Sequence, residues 1–280
     1  FDEIEFMKLR YKLLLHIMLE GNSMSFLNHL AALRKHLMRA SIAVLIAAVL
    51  AFAFREILFD GLLLAPKSLD FITYRALCQL SEIWNISNLC VDKINIELLN
   101  SKMAGQFSLH ISLSLMTGLV LAIPFVLKEL WMFVSPGLTF VERQKSVAFI
   151  SISSFLFFLG AAFGYFLIVP LSIQFLSNYV VSDQIINLIE MSSYLATIAS
   201  IILACGFLFE LPIVVYFLSR AGIVTPDGMK MYRKHAWVGI LVVSSIITPP
   251  DIFSQIIVSI PIAILYESSI FISRVAQPIK

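Results

Sequence analysis

Long apolar runs constrain this chain more than any other feature of it. A helix needs about 20 mostly apolar residues to cross a hydrocarbon core of about 30 Å. Residues 40–58, 107–127, 147–169 and 194–219 each supply such a run. A last apolar stretch is cut in two by Thr248-Pro249-Pro250-Asp251, leaving segments 236–247 and 252–272. Proline has no N–H and disfavours helix in the residue before it, so the chain must turn there. At ~1.5 Å per residue the first piece covers about 18 Å, which is short for a bilayer. It must sit in thinned membrane, be screened by other helices, or belong to a re-entrant hairpin. The expected fold is all-α: a polytopic membrane protein with six transmembrane helices, the last two short, and both termini on one side.

Composition agrees. The 280 residues are 59% hydrophobic and 14% charged, with a mean hydropathy of +0.91. A soluble domain carries about 45–50% apolar and about 25% charged residues. A formal charge of +2, with no basic run interleaved with aromatics, gives no reason to expect nucleic acid. Arg55, Lys67, Arg75, Lys93 and Lys102 fall on one side of these spans, and all the other Lys and Arg residues of the 20 fall on the other. Positive charge marks the cytoplasm, so the topology reads N-in and C-in. The first span is too long for a cleavable signal peptide and lacks a small-residue cleavage site after it.

Residues 1–23 form an extension of open origin, either an amphipathic surface helix or a tag, leader or misassigned start upstream of Met24; the membrane domain is expected over 24–280. From Ser25, a plausible helix cap, to Arg39 the leucines and Phe26 share one face while His29, Arg34, Lys35 and Arg39 stay polar. That pattern predicts an amphipathic helix at the cytoplasmic interface that feeds into the first span. The first outer loop, 59–106, contains Pro66, Cys78 and Cys90. The two cysteines lie outside the cytoplasm, where oxidation is possible. A disulfide and two separate thiols both satisfy the sequence.

Polar groups inside the spans single themselves out. Glu210 sits deep in the fourth, two residues before Pro212. An ionised carboxylate there costs several kcal/mol, so it should be protonated, paired or turned to a wet cavity; a merely tolerated acid bonded to a neighbouring helix is the plainer alternative. Glu267 lies near the end of the sixth span and can snorkel. Pro124, Pro170, Pro212 and Pro261 each free a backbone carbonyl that something must satisfy. Thr248 and Gln255 flank the Pro-Pro turn, and Asp251 is placed to cap the last helix. Gln255 can also hydrogen-bond to a partner helix.

Enzymatic motifs are missing: there is no Gly-x-Ser-x-Gly, His-Glu-x-x-His or P-loop. The five histidines show no ligand spacing, three cysteines are too few for a zinc cage, and no cofactor motif is present. A proton-linked transporter built around Glu210 would normally show related halves with matching interruptions, and none is found.

Several blocks, taken in order, are similar to one family. His29-Leu30-x-x-Leu33-Arg34-Lys35, Leu64-Ala65-Pro66 and Leu130-Trp131-x-Phe133-Val134-x-Pro136-Gly137-Leu138 with Glu142-Arg143 come first. Phe158-Leu159-Gly160-x-Ala162-Phe163-Gly164, Phe209-Glu210-Leu211-Pro212 and Thr248-Pro249-Pro250-Asp251-x-x-Ser254-Gln255 complete the set. The chain therefore resembles the TatC family of twin-arginine translocase subunits. The resemblance implies a glove-like six-helix receptor and scaffold in the bacterial inner membrane, not an enzyme. It would bind twin-arginine signal peptides of folded precursors, assemble with single-span TatA- and TatB-type partners and further copies of itself, and use the proton-motive force. By the same match Glu142, Phe133, Arg34 and Pro136 would bind the signal. Glu210, Thr248, Gln255 and Asp251 would make the intramembrane polar and partner contacts. One departure is plain. The family's His-Leu-x-Glu-Leu-Arg pattern has an acid where this chain has Ala31 and Ala32, which leaves more of the task to Glu142.

Overall fold

A computed structural model describes residues 26–84, 90, 96–135, 146–179, 182, 188–248 and 252–277. The expected boundary at Met24 and the Ser25 cap lie outside them. Helix α1 (Phe26–Ala53) runs 28 residues without an internal Gly or Pro to interrupt it. The amphipathic segment and the first span are thus one unbroken helix. Its buried positions, Ala40, Ala48 and Ala51, are small, and they face helix α3 (Gly105–Val134). At Gly118 of α3 a Cβ would come within 2.5 Å of the Ala48 backbone nitrogen. Without a hydrophobic force between helices in lipid, such close backbone approach is what lets dispersion hold them together.

After α1 the chain unwinds through wide π-type turns over Ile57–Leu63 and a 3₁₀ turn over Ala65–Lys67. Helix α2 (Ile72–Trp84) follows. The Tyr74 hydroxyl anchors it, 3.2 Å from the Pro66 carbonyl and 3.1 Å from that of Pro170. Burial, with Tyr194 close by, pushes the Tyr74 hydroxyl pKa up. Strand β1 (Glu97–Leu99) then pairs in parallel with β2 (Leu188–Glu190), with Leu98 opposite Ile189. A parallel pair needs a long crossover; here the crossover passes through two membrane spans.

The third span is composite: α4 (Ser146–Phe163), a π-type turn (Gly164–Ile168) and α5 (Val169–Asn178). Pro170 near the start of α5 cannot donate to the Phe166 carbonyl, and the Thr73 hydroxyl of α2 donates to it instead. The fourth span breaks at Glu210 between α6 (Met191–Phe209) and α7 (Leu211–Arg220). Pro212 lies in the first turn of α7, where its missing N–H costs little. The central core gathers Ile168, Val169, Leu195, Ile198, Ile201 and Val258 from the third, fourth and last spans.

A turn through Gly222, at φ 74°, leads to the short α8 (Pro226–Met231), capped by Thr225 at 3.2 Å from the Gly228 N–H. Helix α9 (Arg233–Ile247) has 15 residues and α10 (Ile252–Ala276) has 25. Among the described residues, five helical segments are long and apolar enough to cross a membrane, and α9 is not among them. The fold class is as expected, with one correction: the last helix is not short. Pro261 lies inside α10 without ending it, because packing against α7 holds the helix across the lost bond. Ser219 of α7 donates to Ser273 of α10 at 2.7 Å within that contact.

Candidate functional site

Two groups of polar side chains are built into the helices. The first lies where α1 begins and α3 ends. Helices α1 and α3 run antiparallel, so Phe133 at the end of α3 meets His29 near the start of α1, with ring centroids 4.5 Å apart and stacked. One turn back along α3, Glu129 occupies the same face as Phe133. Its Oε2 accepts from His36 Nδ1 at 2.6 Å, and His36 also meets Phe133 edge-on at 6.3 Å. Glu129 is only 4% exposed. Ala32 lies between His29 and His36 on the same stripe of α1 and places no more than a methyl in the seam. Arg34 is exposed on the flank of α1.

Glu129 and His36 escaped the sequence reading. Phe133 four residues on hints that Glu129 shares its helix face. No local spacing pairs it with a histidine 93 residues away. Glu142 and Pro136 lie outside the described residues, so the loop that follows Phe133 is not placed.

The second group surrounds Glu210. At the α6–α7 break its backbone N–H is shared between the Phe207 and Leu208 carbonyls. The Leu208 carbonyl is the one that Pro212 cannot serve. The side chain is 8% exposed, and Ser153 of α4 donates its hydroxyl to Oε2 at 2.5 Å. Oε1 has no hydrogen-bond partner among the described residues. Ser153 was not foreseen either, since a serine inside an apolar run carries no distinguishing pattern.

Thr248 ends α9, buried, with its hydroxyl donating to the Ser244 carbonyl at 2.9 Å. Gln255 of α10 donates from Nε2 to the Leu241 carbonyl of α9 at 3.1 Å. This interhelical bond lies within the chain and ties the short α9 to α10. Asp251 lies outside the described residues. Glu267 Oε2 accepts from Arg233 Nη2 at 2.8 Å. A disulfide joins Cys78 of α2 to Cys90. Among the described residues no three His, Cys, Asp or Glu side chains cluster as metal ligands.

A family model described as "Sec-independent protein translocase protein (TatC)" matches residues 28–261. The chain is 38% identical over 256 residues to the Sec-independent protein translocase protein TatC of Blattabacterium sp. subsp. Periplaneta americana, covering 91% of this chain and 96% of that one. Identity to the Sec-independent protein translocase protein TatCy of Bacillus subtilis is 32% over 255 residues, covering 91% of each. Among solved structures, a crystal structure of the twin arginine translocase receptor TatC superposes with a TM-score of 0.64 at 29% identity, covering 89% of this chain and 99% of that one. The same receptor crystallised in DDM gives 0.68 at 30% identity, covering 87% and 98%.

Proposed function

Because this chain belongs to the TatC family of Sec-independent protein translocase proteins, we propose that it is the receptor and scaffold subunit of a twin-arginine translocase. A subunit of this family is a translocase component rather than an enzyme, and this one spans the membrane several times. It binds the twin-arginine signal peptides of folded precursors at the face where α1 begins. Family membership over most of the chain carries this reading. The excess of Lys and Arg on that side supports a cytoplasmic placement, both termini inside, in the bacterial inner membrane.

Glu142, Phe133, Arg34 and Pro136 form the signal-binding patch. A carboxylate at a wet surface suits a guanidinium fork, because neither partner is fully desolvated until they meet. Thr248, Gln255, Asp251 and Glu210 offer polar contacts to TatA- and TatB-type single-span subunits. Further copies of the chain join the same complex, and the proton-motive force drives export.

The test is purification of the complex from its own membranes in mild detergent, with identification of the bound chains. Small single-span subunits should co-purify. A chain that emerges alone and binds a small solute would support a transporter instead.

A further inference from the structure

The α1–α3 seam holds a buried acid that the signal patch described above does not use. Glu129 is 4% exposed, and the group that touches its carboxylate is the His36 imidazole at 2.6 Å. His36 is itself 18% exposed in its side chain, so it lies between the carboxylate and the surrounding solvent. Beside it, the ring of Phe133 is covered by His29. A carboxylate and an aromatic face, one helical turn apart, are thus both occupied by imidazoles from α1.

An arginine side chain suits the same two surfaces better. Imidazole offers Glu129 one N–H, whereas a guanidinium offers a parallel fork to a carboxylate. The guanidinium plane also stacks on an aromatic face. Ala32, midway between the two histidines, leaves α1 without an acid of its own in this seam.

Resting on the signal-binding reading, we infer that Glu129 of α3 receives one of the signal's two arginines in the seam where α1 has no acid, and that His36 is the resident placeholder it displaces.

The experiment measures binding of a fluorescent signal peptide with two consecutive arginines, and of its twin-lysine version, to the full chain in native membranes. Glu129→Gln keeps a carbonyl for His36 and so keeps the seam. It should weaken twin-arginine binding about tenfold or more, as loss of a charged acceptor does. Adding Ala32→Glu to Glu129→Gln returns an acid from the other side and should recover most of that loss. His36→Ala removes the competitor and should tighten binding several-fold; a purely structural His36 would give weaker binding instead. Unchanged affinity in Glu129→Gln, no recovery with Ala32→Glu, or no gain with His36→Ala overturns the inference while leaving the receptor reading intact. Absence of any arginine-over-lysine preference in the unmodified chain overturns the receptor reading itself.

Discussion

The Ser153 hydroxyl donates to Oε2 of Glu210 at 2.5 Å, tying the third span to the break in the fourth. The other carboxyl oxygen, Oε1, is buried with no partner among the described residues. A polar group left in that state inside a bundle costs free energy unless a partner helix or water in a cavity supplies the missing hydrogen bond.

Substitutions at Glu210 separate these roles. Glu210→Gln keeps an acceptor for Ser153 and should be mild. Glu210→Ala leaves the serine unpaired, costs about 1–3 kcal/mol, and should impair export more. If Glu210→Leu raises thermal stability in detergent and leaves export intact, the acid is only tolerated.

Glu142 is expected to be the main loop carboxylate for the signal's arginines, given Ala31 and Ala32 in α1. Photocrosslinking to a twin-arginine precursor should be abolished in Glu142→Gln while the protein remains folded. Crosslinking at the unmodified level would remove Glu142 from the site.

Cys78 and Cys90, 12 positions apart in sequence, are joined by a disulfide, and Cys205 is buried in α6. The bond should constrain the unfolded loop by roughly 3 kcal/mol at most. A non-reducing peptide map should find Cys78 linked to Cys90, and Cys205 should alkylate only after denaturation. Alkylation of both Cys78 and Cys90 without reductant would show that the bond does not form in the membrane.

Gly118 allows α3 to lie against Ala48 of α1, and any side chain there meets backbone. Gly118→Val should destabilise the pair by about 1–3 kcal/mol, as overpacking does. It should also separate His36 from Glu129 further along the same seam. An unchanged melting midpoint in detergent would show that the two helices are not held by this contact.

The sequence alone determined which stretches are apolar enough for a membrane, where Lys and Arg concentrate between them and which family the chain belongs to. Those properties are one-dimensional: window hydropathy, loop charge and the order of motifs such as Phe209-Glu210-Leu211-Pro212. Prolines also announced where backbone carbonyls would be freed, but not that Thr73 would reach Phe166. In lipid the outside of a helix is as apolar as the packed side, so no strong period marks which face turns inward. Which side chains meet therefore depends on helix rotation, depth and tilt. Only the tertiary structure brought Ser153 to Glu210, 57 residues on, and His36 to Glu129, 93 residues on. The three-residue strands β1 and β2 were likewise too short to announce themselves. The last helix runs 25 residues through its own proline, with α7 packed along it, and neither feature could be read from the proline alone.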